Sequence, residues 1–133
     1  AAALNIVPTS SGASQSVVES IPQLRGKIEG YALRVPVADG SIASIFAKVE
    51  RIPSAEEVNT LFRQMAQKDF KEIIEYTSEP LVSSDIIHNP ASAIFDASFT
   101  AVLDGTISIA AWYDNEWGYS NRLVDVAQKM LKI

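Results

Sequence analysis

The sequence predicts an α+β fold: a mixed, largely antiparallel sheet with about three helices packed on one face. Three observations point there. Apolar runs of strand length are interrupted by three helical patterns, from Ala13 to Ile21, from Ser54 onward and from about Trp117 to Leu131. Neighbouring strands are joined by hairpin signals at Ala38-Asp39-Gly40 and Asp104-Gly105, not by repeated βαβ crossovers. Finally, no Gly-x-Gly-x-x-Gly occurs, so these residues hold no dinucleotide-binding fingerprint of their own.

In chain order, Ala1 to Val7 is small and apolar, consistent with a strand or an extended lead-in to the core, and Pro8-Thr9-Ser10-Ser11-Gly12 breaks it. Ala13 to Ile21 can form a helix carrying Val17, Val18 and Ile21, stopped by Pro22. Gln23 to Gly30 is a turn-rich connector. Tyr31 to Val37 and Ser41 to Glu50 read as strands around the Ala38–Gly40 loop, with Gly40 free to take positive φ. The second strand shows Ala43, Ile45, Ala47 and Val49 on one face and Ile42, Ser44, Phe46, Lys48 and Glu50 on the other. Pro53-Ser54-Ala55-Glu56-Glu57 starts a helix with Ser54 and Glu57 in capping-box spacing, and Val58, Leu61, Phe62, Met65 and Ala66 form its apolar stripe.

Phe70 to Tyr76 reads as a helical turn and then a strand, closed by Glu79-Pro80. Leu81 to Ile87 starts strand-like, His88-Asn89-Pro90 is a loop, and Ser92 to Asp96 is a short strand. Phe99 to Leu103 and Thr106 to Tyr113 form a hairpin on Asp104-Gly105. The last helix carries Leu123, Val126, Ala127, Met130 and Leu131 as its apolar stripe.

Composition narrows the function. At 133 residues the chain suits one domain; 47% apolar and 20% charged residues fit a soluble globular protein. No apolar run approaches the ~20 residues of a membrane span, and no signal-peptide pattern opens the sequence. The first residue is Ala1, not Met, which fits a fragment or a processed product. A net charge of −5 with no basic cluster argues against nucleic acid and anionic membranes as partners. With no Cys, these residues form no disulfide, thiolate metal site or thiol nucleophile, and with His88 the one imidazole a metal site is not expected. A lone His in a polar loop is ordinarily an exposed one.

Chemistry concentrates in two places. Between Trp112 and Trp117, two Trp, a Tyr, two carboxylates and an Asn meet where a strand ends and a helix begins. Asp114 is a natural N-cap. Asn115 offers both a donor and an acceptor, which suits reading a carboxamide; the alternative is an aromatic-anchored helix cap. Ser10-Ser11-Gly12, ahead of the first helix, offers hydroxyls and free N–H groups to an anion, or else simply caps that helix.

Trp112-Tyr113-Asp114-Asn115-Glu116-Trp117-Gly118-Tyr119-Ser120, followed by Asn121-Arg122, resembles the C-terminal signature of phosphorylating glyceraldehyde-3-phosphate dehydrogenases. Ala1 to Thr9, Ser10-Ser11-Gly12-Ala13, Leu33-Arg34-Val35-Pro36 and Glu79-Pro80-Leu81-Val82-Ser83 resemble the same family in the same order, so the likeness spans nearly the whole chain.

The resemblance implies the latter part of that family's catalytic domain, a single partial domain over residues 1–133, whose helix from 117 to 133 would pack on a nucleotide-binding domain. It implies oxidation of glyceraldehyde 3-phosphate with NAD or NADP and inorganic phosphate, in a cytoplasmic homo-oligomer, a tetramer in full-length members. The family's nucleophilic cysteine, its histidine base and most of its cofactor site precede the stretch matched by Ala1. No catalytic residue is therefore expected here, and the isolated chain should be inactive. Ser11 and Gly12 would bind the attacking phosphate, Ser11 standing where threonine is usual. Arg34 would grip substrate phosphate, the alternative being a strand-end salt bridge. Asn115 would hold the nicotinamide carboxamide with Tyr119 beside the ring, and Glu116 would act as a structural cap. Erythrose-4-phosphate dehydrogenase shares this scaffold, and a stand-alone phosphate-binding or interaction module is the non-enzymatic alternative.

Overall fold

The computed structural model describes residues 4–131. Ala1–Ala3 of the expected first strand, and residues 132 and 133 of the expected last helix, lie outside the described residues. By internal contacts the chain divides into two compact units, Ala1–Ala38 and Asp39–Ile133.

In the first unit, β1 (Val7–Ser10) and β2 (Tyr31–Arg34) pair antiparallel, from Val7 opposite Arg34 to Ser10 opposite Tyr31. The expected break at Pro8 is not there. Leu4 to Ile6 are not strand; β1 starts only at Val7 and passes through Pro8 to Ser10, because a two-stranded ribbon is all edge and an edge tolerates a residue without an N–H. Helix α1 (Ala13–Ser20) follows, one residue shorter than expected, and a 3-10 turn at Pro22–Leu24 succeeds it. β2 also stops short of Val37. The Val37 N–H donates to the Val35 carbonyl at 2.8 Å, a tight turn about Pro36 that ends the extended run.

The second unit is a four-stranded mixed sheet ordered β3-β6-β5-β4. β3 (Ser41–Lys48) pairs antiparallel with β6 (Thr106–Tyr113), β6 antiparallel with β5 (Ala93–Leu103), and β4 (Ile74–Thr77) parallel with β5. Helix α2 (Ala55–Gln67) lies on β4 and β5. Its capping box is complete: Ser54 Oγ accepts the Glu57 N–H, and the Glu57 carboxylate accepts the Ser54 N–H at 2.7 Å. Helix α3 (Trp117–Leu131) closes the described chain. Asp104 and Gly105 take φ of +47° and +75°, which makes the tight primed turn expected between β5 and β6.

Three expectations fail in this unit. The hairpin at Ala38–Gly40 does not form, because the ladder partner of β2 is β1 and that of β3 is β6. Gly40 does take φ +88°, and a Cβ there would lie 2.6 Å from the Ser83 carbonyl oxygen. The strand start at Leu81 is instead a 3-10 turn over Ser83–Ile86, held by the Asp85 carboxylate on the Val82 N–H at 2.8 Å. The two strands expected over 92–96 and 99–103 are one bulged strand, β5, whose register shifts between Asp96 and Ala101. Buried Asp96 fixes that bulge by accepting from Ser98 N (3.0 Å), Ser98 Oγ (2.6 Å) and Trp112 Nε1 (2.9 Å).

The core forms around the first half of β5. Ile94 packs with Ile86 and Ala91, against Leu81 and Trp112. On the other side Phe95 stacks on Phe62 of α2, with ring centroids 4.1 Å apart, and on Tyr76 of β4 at 5.8 Å.

Candidate functional site

The end of β6 is anchored by one carboxylate. Asp114, 4% exposed, accepts N–H bonds from Trp117 (2.6 Å) and Glu116 (3.0 Å) on one oxygen, and from His88 (2.8 Å) on the other. Burial pushes its carboxyl pKa up, but the three backbone donors and the nearby His88 outweigh it and hold the pKa below the usual carboxylate value. Asp114 is therefore the cap of α3, while Glu116 contributes its backbone: its carbonyl accepts Ser120 N and Ser120 Oγ.

The corner is pinned from outside the helix as well. The exposed His88 ring packs on Trp117 at 4.7 Å, its backbone at φ +63°. Gly118 lies so close to Ala91 that a Cβ would meet the Ala91 carbonyl at 2.6 Å. Arg122 Nη1 donates to the Glu72 carbonyl at 3.0 Å. Asp39, Asp114 and Glu116 bring carboxylate oxygens within 4.8 Å of one another, with Asp39 already bonded to the Gly40 N–H and Asp114 to its three donors.

This rigid corner presents Asn115 and Tyr119 at the surface, Asn115 just ahead of α3 and Tyr119 in its first turn, 65% exposed. Asn115 is not left to rotate. Its Oδ1 accepts the Ser41 hydroxyl at 2.5 Å, across 74 residues of sequence. Ser41 is the residue that sequence reasoning missed, and no local pattern marks it, since the contact depends on the β3–β6 register. A dinucleotide would fit this chemistry at its carboxamide end, because Asn115 keeps its amide N–H groups for a ligand.

The other expected residues belong to the first unit. Ser11 and Gly12 connect β1 to α1. Gly12 is the N-cap residue, it offers no side chain of its own, and no acidic residue stands in the first turn. Ser11 Oγ accepts the Ala13 N–H at 3.2 Å. Arg34 stands opposite Val7, at the far end of the ribbon from the Ser10–Tyr31 pair. Four residue steps of ~3.3 Å separate Val7 from Ser11, so the ribbon holds the hydroxyl-glycine corner and the guanidinium at separate positions. Among the described residues no carboxylate pairs with Arg34.

The family model described as glyceraldehyde 3-phosphate dehydrogenase, C-terminal domain, matches residues 1–115. Glyceraldehyde-3-phosphate dehydrogenase of Mycobacterium avium is 49% identical over 126 residues, covering 95% of this chain and 37% of the relative. The enzyme of Mycobacterium tuberculosis is also 49% identical over 126 residues, and glyceraldehyde-3-phosphate dehydrogenase 1 of Streptomyces avermitilis is 46% identical over 127. The chain thus spans little more than a third of the length of these relatives. On the breadth of these matches, it belongs to the glyceraldehyde 3-phosphate dehydrogenase C-terminal domain family.

Proposed function

We infer that this chain is the C-terminal portion of the catalytic domain of a phosphorylating glyceraldehyde-3-phosphate dehydrogenase, working in a cytoplasmic homo-oligomer. The reading is carried by the Asp114-anchored corner, which presents Asn115 and Tyr119 at the surface of a family member. Asn115 and Tyr119 hold the nicotinamide end of NAD or NADP, and that cofactor, when bound, supplies the hydride acceptor. Ser11 and Gly12 receive the attacking phosphate through a hydroxyl and a backbone N–H at the N-terminus of α1. Arg34 takes the substrate phosphate as a planar, permanently charged fork. Separate positions on one ribbon suit a reaction that handles two phosphates.

The nucleophile and base come from the part of the protein that the longer relatives also possess. Within these 133 residues there is no Cys, and His88 is committed to the corner through its backbone N–H and its ring. The apolar side chains of α3, Leu123, Val126, Met130 and Leu131, are exposed in this chain, which supports packing of the helix on a nucleotide-binding domain. Exposed Ile42 and Phe46 on β3 support contact with a sister sheet.

The test is NADH formation from glyceraldehyde 3-phosphate, NAD and phosphate. The complete protein should turn over, and should prefer glyceraldehyde 3-phosphate to erythrose 4-phosphate. The isolated chain should show none. Turnover by the isolated chain within about tenfold of an ordinary ~10 per second would overturn the assignment of nucleophile and base to the remaining portion.

A further inference from the structure

We propose that Ser41 is a positioning residue for the cofactor: it fixes which end of the Asn115 amide faces the nicotinamide substituent. The inference rests on the reading of Asn115 as the residue that meets the carboxamide. Ser41 Oγ and Asn115 Oδ1 lie 2.5 Å apart, within the range of an O–H···O bond and shorter than an N–H···O bond. The hydroxyl therefore donates to the amide oxygen, and Asn115 Nδ2 keeps its hydrogens for a ligand.

Both ends of this contact are anchored in backbone. Ser41 opens β3 opposite Tyr113, two residues before Asn115. Ahead of it, Gly40 is held by the Asp39 carboxylate on its N–H at 2.6 Å, at a φ and a closeness to Ser83 that only glycine accepts. On the other strand, the Asp114 carboxylate fixes the residue next to Asn115.

A terminal amide torsion is broad and two-fold, so an unheld Asn presents its oxygen or its nitrogen with similar ease. Held by Ser41, Asn115 has its Oδ1 turned to that hydroxyl and its Nδ2 hydrogens left for the ligand. It then recognises the carbonyl oxygen of the pyridine substituent and makes no use of the amino group. A dinucleotide that keeps that carbonyl but lacks the amino group, 3-acetylpyridine adenine dinucleotide, should bind as NAD does.

Calorimetric titration of the complete protein with NAD and with the acetylpyridine analogue tests this. Wild type should bind both within about twofold. Ser41→Ala should weaken both by about fivefold, the scale of one hydrogen bond, and the analogue more, since a reversed amide can still accept from a carboxamide. Ser41→Thr should restore the wild-type values. In an Asn115→Ala background, Ser41→Ala should add nothing. If Asn115→Ala leaves NAD affinity unchanged, the underlying reading of Asn115 fails. If Asn115→Ala weakens NAD but Ser41→Ala does not, or does so equally without Asn115, the positioning role of Ser41 is overturned and the reading of Asn115 stands.

Discussion

In the second unit Ile86, Ala91, Ile94 and Phe95 are none of them more than 4% exposed, whereas no described residue of the first unit is buried. The two units belong to one chain yet are held by different physics. The second is organised from inside, with β5 covered on one face by α2 and on the other by the 83–91 segment and Trp112. The first is organised mainly by backbone hydrogen bonds, while Tyr31, Leu33, Val35 and Val37 are exposed. A segment that short builds little core of its own, and without cysteines it has no staple. The proposed labour divides the same way: the phosphate-reading residues sit on the coreless unit, and the cofactor-reading residue on the cored one. A core lets the second unit set Asn115 by internal contacts. On that proposal, Ser11, Gly12 and Arg34 would owe their order to a surface that covers the ribbon in the complete protein.

The largest expected effect breaks the comparison at its strongest point. Phe95→Ala removes a ring packed between Phe62 and Tyr76, and should cost about 3–5 kcal/mol. Hydrogen exchange read by NMR should show protection lost across β4, β5 and β6, with β1 and β2 unchanged. Equal loss in both ribbon strands would mean that the two units open together, and the distinction would fall.

A smaller effect is expected at the corner. Asp114→Asn keeps one acceptor for the α3 cap but turns an amide donor toward the His88 N–H, so it should cost about 1–2 kcal/mol. The pH dependence carries a sign. Because the folded carboxyl pKa is depressed, its contribution is complete above the ordinary unfolded carboxylate value and is lost as pH falls through the lowered folded value. Thermal melts of wild type and Asp114→Asn should therefore converge in acid and separate toward neutrality. A gap that is constant with pH would show that the cap acts without its charge.

Within the second unit, features differ in how far the sequence disclosed them. The Ser54–Glu57 box, the Asp104-Gly105 turn and the bounds of α3 are written within a few residues, because capping and turn chemistry are local. The partner of β3 is not local. Its ladder mates lie near the other end of the chain, so residues 31–50 by themselves predict a hairpin with β2. The bulge in β5 needed Trp112 to reach Asp96, and the orientation of Asn115 needed Ser41. The corner was legible in kind, as a cap carrying an amide, and what stayed hidden was the tertiary contact that aims it.

The smallest expected effect sharpens the comparison most, because its size depends on what surrounds the chain. Leu33 lies on β2 opposite Pro8 and is 52% exposed. In the isolated chain Leu33→Ser exchanges one exposed side chain for another and should change stability by less than about 0.5 kcal/mol. If the ribbon is covered in the complete protein, the same substitution there removes a buried side chain, worth about 1.5–3 kcal/mol of apolar burial. Paired denaturant titrations of both proteins, each with and without the substitution, read the difference. A small effect in both would mean that the ribbon stays open even when assembled, and the argument that Ser11, Gly12 and Arg34 owe their order to a covering surface would fail.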